Sequence, residues 1–242
     1  MNVEHANSYT ALFLFISFCV VLYFRKFNQN ITVRHIAAIE MISYGVARAA
    51  EAGKSIIFTT GISTLGPVFF ACLTLLKGIL QKAKQLHVPV ILPQNSPECV
   101  AYLESFLEQN EFHDSSPAPS VQFLSEDQFA FASGYMGLVH RHQTETAFLF
   151  GQFAGESLIL SEAGRQVNAF QIAGSVSPEQ VPFFICTCDY TLIGEELFAA
   201  GAYLSGDSSD LGNLRSQDIL KLLLMLIIVV GIIWTYFSKY FL

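Results

Sequence analysis

The amino-acid sequence predicts an α/β fold, with a doubly wound, mainly parallel sheet flanked by an N-terminal and a C-terminal transmembrane helix. Three observations carry this. Residues 55–93 run from Ser55-Ile56-Ile57-Phe58 through a Gly/Ser/Thr turn to Pro67, along an apolar helical stretch to about Leu86, and into Val88-Pro89-Val90-Ile91-Leu92-Pro93. Strand, turn, helix and strand make a βαβ unit, which implies a parallel pair in a sheet covered on both faces. The same alternation of short apolar runs and helical periods continues through the middle of the chain, the pattern of one α/β domain. Long apolar runs close both ends.

The first of those runs, residues 9–24, is apolar apart from hydroxyls and is followed at once by Arg25 and Lys26. It is slightly short of the roughly 20 residues a span requires, and snorkelling by the two basic residues closes the gap. The start Asn2-Val3-Glu4-His5 is not basic, and no small-residue cleavage site follows the run, so residues 9–26 are predicted as an anchor rather than a signal peptide. Residues 219–238 hold the second span, with Trp234 and Tyr236 as interfacial aromatics and Lys221 close enough to its start to reach the headgroups. Arg25, Lys26, Arg34, Arg215 and Lys221 lie on the side of the middle region, against Lys239 alone on the other. The positive-inside rule therefore predicts residues 27–218 in the cytoplasm and both tails, 1–8 and 239–242, outside the cell membrane.

Between the anchors, residues 36–52 read as a helix rich in small residues (Ala37, Ala38, Gly45, Ala47, Ala49, Ala50, Ala52), a face that lets the sheet or another subunit approach closely, and Gly53 stops it. After the βαβ core comes a helix at 97–110, capped by Asn95 or Ser96. Residues 115–120 are a loop rich in Ser and Pro, and a short strand at 121–124 follows. Ser125-Glu126-Asp127-Gln128 opens a helix to about His140. Strands are predicted at 146–151, 169–174 and 182–188, and helices at 156–167 and 191–204. The last of these carries a second small-residue face, Ala199, Ala200, Gly201 and Ala202. Residues 205–213 are a polar hinge.

Composition narrows the partners. The chain is 52% apolar and 14% charged, with a net charge of −7, against a usual charged share of roughly 25%. The deficit persists between the anchors, where residues 30–217 hold 9 Lys/Arg and 18 Asp/Glu. A core of this size cannot hide such a shortfall, so the sequence predicts self-association. No basic cluster lies outside the membrane flanks, which argues against nucleic acid. The five cysteines occupy apolar settings and read as reduced thiols rather than a disulfide framework.

Two motifs could carry chemistry. Thr60-Gly61-Ile62-Ser63-Thr64-Leu65-Gly66 joins a strand to a helix, and main-chain N–H groups there can cradle an anion. Gly61 and Gly66 match the glycine spacing of a phosphate-binding loop, but Pro67 and Val68 stand where that motif needs Lys and Ser/Thr. The plain reading is a turn in which Ser63 or Thr64 caps the helix; the functional one is a small-ligand loop at the carboxyl end of a strand, where open α/β sheets bind. The second motif is Asp189-Tyr190, followed by Glu195 and Glu196. Asp189 either caps the helix predicted from Thr191 or joins Thr60, Gly61, Ser63, Thr64 and Gly66 around one ligand cleft. Cys186 and Cys188 share one face of their predicted strand, too close in sequence for a usual zinc pair. His140, Arg141 and His142 read as a solvated helix end.

Glu51-Ala52-Gly53-Lys54, the Phe58-Thr59-Thr60-Gly61 turn and Asp189-Tyr190 running into residues 191–204 give a resemblance. The chain resembles an uncharacterised family of prokaryotic membrane proteins with a Rossmann-like domain between two spans. The resemblance implies that architecture and no activity. No cofactor, metal or catalytic group is expected. The sequence thus points to a non-enzymatic membrane protein that self-assembles as a scaffold, with the bilayer and its own copies as partners. The alternative is a nucleotide or metabolite sensor.

Overall fold

The computed structural model describes residues 36–205, together with 220–222, 224, 225 and 228. The predicted spans at 9–26 and 219–238, apart from those few helical positions, lie outside the described residues, as do both tails and most of the polar hinge. Among the described residues no helix is long and apolar enough to cross a membrane.

The chain from Arg34 to Ser205 is one compact unit. Its elements in order are α1 (Ala37–Ala52), β1 (Ile56–Gly61), α2 (Pro67–Leu86), β2 (Val90–Gln94), α3 (Pro97–Gln109), β3 (Ser120–Phe123), α4 (Gln128–His142), β4 (Thr146–Gln152), α5 (Ser157–Gln166), β5 (Phe170–Ser175), α6 (Val181–Thr187), β6 (Tyr190–Ile193) and α7 (Glu196–Ser205). The strands form one sheet in the order β3-β2-β1-β4-β5-β6, and every neighbouring pair is parallel. This is the doubly wound, Rossmann-like order in which the chain winds outward from the middle in both directions.

Strand alternation divides the core in two. Ile56 and Phe58 of β1, with Phe148 and Phe150 of β4, face a layer built from α1, α2, α3 and α7. Ile57, Ala147 and Leu149 face the opposite layer of α4, α5 and α6. The period of two along a strand sends successive side chains to opposite faces, and both faces being covered explains why the central strands β1 and β4 are buried along nearly their whole length. Phe58, Phe148 and Phe150 pack ring against ring, with centroids 5.8 to 5.9 Å apart.

The glycines of the two small-residue helices are packed inside this unit. A Cβ on Gly45 would come within 2.9 Å of Thr146 and 3.2 Å of Phe170, so α1 lies directly on the sheet there. Gly201 of α7 is pressed against Thr74 of α2 in the same way. Arg48 and Lys54 then fasten the C-terminal end of α1 by ion pairs of 2.7 and 2.9 Å to Glu145, just ahead of β4. Gly53 ends α1 at φ 64°, as its composition predicts.

The structure corrects the sequence reading near the end of the sheet. Residues 182–188 are not a strand: α6 spans Val181–Thr187, and the strand is Tyr190–Ile193, overlapping the start of the stretch predicted as helix, while α7 begins only at Glu196. Pro182 sits in the first turn of α6, where a missing N–H costs nothing. An aromatic-rich apolar run of seven residues is ambiguous between strand and helix by pattern alone. Cys186 and Cys188 therefore share no strand face; Cys186 is exposed at the end of α6 and Cys188 is part-buried beyond it.

Candidate functional site

The strand order reverses between β1 and β4, and the loops leaving their carboxyl ends flank the crevice where open α/β sheets take ligands. Thr60 and Gly61 end β1, and Ser63, Thr64 and Gly66 lie on the loop that follows it. The crevice is closed by main chain. The Ile62 N–H donates to the Gln152 carbonyl (2.9 Å) and the Ser63 N–H to the Thr60 carbonyl (3.3 Å). The Gly61 N–H is bonded to Thr59 Oγ1 at 3.1 Å. Ser63 Oγ donates to the Thr60 carbonyl at 2.6 Å and accepts the Gln152 N–H at 2.9 Å. Three amides that could cradle an anion are thus already used.

Two glycines make this closure possible. Gly61 has φ 65°, and a Cβ there would run into the Gln152 carbonyl and the Phe153 ring. Gly151 has φ 155°, and a Cβ there would meet the Thr60 carbonyl and lie 2.9 Å from Ser63 Oγ. Both positions need a residue without a side chain, for conformation and for space.

Behind the loop lies a buried polar layer. Thr60 Oγ1 donates to Gln94 Oε1 at 2.6 Å, and Cys99 Sγ donates to the Ser63 carbonyl at 3.2 Å. Thr60, Ser63 and Gln94 are buried, and Gln94 Nε2 has no hydrogen-bond partner among the described residues. Glu156, fully buried at the start of α5, accepts the Ala154 N–H at 3.1 Å and the Gln128 side-chain amide. A carboxylate of the protein itself therefore occupies the anion-favouring end of α5. Sequence reasoning missed Gln94, Gln152 and Glu156. The available signal was a polar residue closing each of the two apolar runs of β2 and β4.

Neither Ser63 nor Thr64 caps α2. Gly66 is the N-cap residue, in an extended conformation, and no side chain bonds to the first turn. Thr64 is exposed beside it. Ser96 stands at the N-cap of α3, also without a side-chain bond. Asp127 is a true cap, accepting the Phe129 and Ala130 N–H groups at 3.1 and 2.9 Å.

Asp189 lies at the other end of the sheet. It precedes β6, and its Oδ2 accepts the N–H of Gln171, near the start of β5, at 2.7 Å. It caps no helix, and the structure does not bring it to Thr60 or Ser63. Instead it lines an open groove of about 390 Å³ at the amino end of β6. Cys188, on the same groove, has its thiol pushed up to about 12 by burial.

This arrangement positions neither a nucleophile with a base nor a metal. His87, His113 and His140 are engaged elsewhere, with the Ser116 carbonyl, Glu104 and Gln166. Among the described residues no three His, Cys, Asp or Glu side chains converge as metal ligands. No curated protein and no solved structure matches the chain. A family model described as "Domain of unknown function (DUF6754)" matches residues 1–242, and the chain belongs to that family.

Proposed function

We propose that this is a non-enzymatic membrane protein whose α/β domain assembles with copies of itself into a membrane-associated scaffold. The observation that carries the reading is an exposed aromatic pair beside the closed switch point. Phe70 of α2 and Tyr102 of α3 pack edge to face with centroids 5.4 Å apart, yet remain 44% and 40% exposed. Adjacent apolar side chains left in water mark interaction surfaces, and aromatics are enriched at interface cores. The low charge of the middle region points the same way. Gly45 of α1 and Gly201 of α7 are packed inside the domain, and the exposed aromatics offer the contact between copies.

Membrane attachment rests on the apolar runs at 9–24 and 220–237. In the second, Leu222, Met225 and Ile228 are helical and more than half exposed, an apolar helix face suited to lipid. The distribution of Lys and Arg supports a cytoplasmic position for the α/β domain.

Light scattering on the full-length chain in detergent tests the assembly. The expected result is an oligomer at micromolar concentration that Phe70→Glu with Tyr102→Glu dissociates while circular dichroism is unchanged. A strict monomer overturns the proposal. The competing reading, a nucleotide or metabolite sensor using Thr60–Gly66 and Asp189, must contend with the spent loop amides and with Asp189 at the far edge.

A further inference from the structure

Strand β6 ends the sheet, paired with β5 on one side and with no strand on its outer side among the described residues. An exposed strand edge offers a row of main-chain donors and acceptors for another extended chain. The groove at its amino end has an apolar wall, formed by Ile36 and Ala37 at the start of α1 and by Ile185 of α6, the last 53% exposed. The first turn of α1 has no side-chain cap among the described residues.

The rim of the groove is acidic. Asp189 and Glu196 line it, and each accepts one main-chain N–H, from Gln171 and Ile193. Neither is in an ion pair among the described residues. Two carboxylates beside an open strand edge and an apolar wall specify an occupant with positive charge, apolar side chains and a free main chain.

We propose that this groove docks an extended segment of a partner protein, added to β6 as a further strand, in which apolar residues alternate with Lys or Arg. Strand addition supplies affinity through the main chain and specificity through alternate side chains. A second copy presenting its own β6 is a poor occupant. Antiparallel pairing of β6 with itself would set Asp189 of each copy close to Glu195 and Glu196 of the other, and opposed like charges destabilise strand pairs.

Fluorescence anisotropy with the full-length chain in detergent tests this, using a labelled Val-Lys-Val-Thr-Val-Arg-Val peptide and a counterpart with Glu at both basic positions. The basic peptide is expected to bind and the acidic one to bind at least tenfold more weakly. Asp189→Asn with Glu196→Gln, which keeps acceptors for both N–H groups, is expected to weaken the basic peptide about tenfold. Ile185→Asp, on an exposed position, is expected to weaken both peptides, and Phe70→Glu neither. Equal binding of the two peptides, or no loss in the Asn/Gln variant, overturns the proposal. So does self-association of the chain that the Asn/Gln variant abolishes, since the occupant would then be a second copy.

Discussion

Gly61 and Gly53 share a backbone conformation, with φ of 65° and 64°, but not a neighbourhood. A Cβ on Gly53 meets nothing within 4 Å, while one on Gly61 strikes the Gln152 carbonyl and comes within 2.6 Å of Phe153. Replacing either glycine by alanine incurs the left-handed penalty, about 1 to 2 kcal/mol. At Gly61 the alanine must also push apart the loops after β1 and β4, and overpacking of that kind costs about 1 to 3 kcal/mol more. The difference between the variants therefore isolates the closure of the switch point. A change of 1 kcal/mol moves the midpoint of a domain this size by about 2 to 4 °C. Gly61→Ala is thus expected to melt roughly 2 to 12 °C below Gly53→Ala. Thermal unfolding of the full-length chain in one detergent, followed by circular dichroism, makes the measurement. Equal melting temperatures would refute the reasoning. They would mean that the crevice stands open in solution, and the loop amides would again be available to a ligand.

Two further outcomes follow from the same structure. Burial pushes the Glu145 carboxyl up, but hydrogen bonds and charge from Lys54 and Arg48 outweigh it and hold the group below its usual range. A depressed folded value contributes stability above the unfolded value and loses it as the pH falls through the folded one. Wild type is therefore expected to lose stability on acidification through and below the ordinary carboxylate range, and Glu145→Gln to lose less there. At neutral pH the variant is expected to be less stable by about 1 to 3 kcal/mol, the loss of two hydrogen bonds to a charge, with the low end favoured because Arg48 and Lys54 are 35% and 41% exposed. Urea titrations at several pH values read both effects. Among the described cysteines, Cys186 is exposed whereas Cys72 and Cys99 are buried, with both buried thiols pushed up by desolvation. A maleimide is expected to label Cys186 within minutes at neutral pH and to spare Cys72 and Cys99 until unfolding, as mass spectrometry of the digest would record. Rapid labelling of Cys72 would contradict the packing of α2 on the sheet.

How much was legible in the sequence depended on whether the signal was local. The apolar run into Thr60-Gly61, Pro67 at the head of α2 and Gly53 behind α1 each state their own conformation, because steric limits on Gly and Pro act within a residue or two. The βαβ rhythm then follows from the short connections and the handedness of crossovers. The run at 182–188 carried no such period, and only packing decided it: Phe184 is buried in the layer of α4 and α5 as part of a helix, which leaves Tyr190–Ile193 to complete the sheet.

The site divides in the same way. The sequence by itself determined that a Gly/Ser/Thr loop follows the first strand and that the phosphate-binding lysine is missing. It also determined that the chain is poor in charge, with apolar ends. Only the tertiary structure decided that Ser63 and Gln152, 89 residues apart, close the loop on itself, and that Asp189 stands at the amino end of the edge strand β6. Those outcomes turn on which strand ends lie side by side and which way a buried hydroxyl points. Neither is fixed until the sheet has assembled, because the hydrogen bonds that settle them join segments with no contact along the chain.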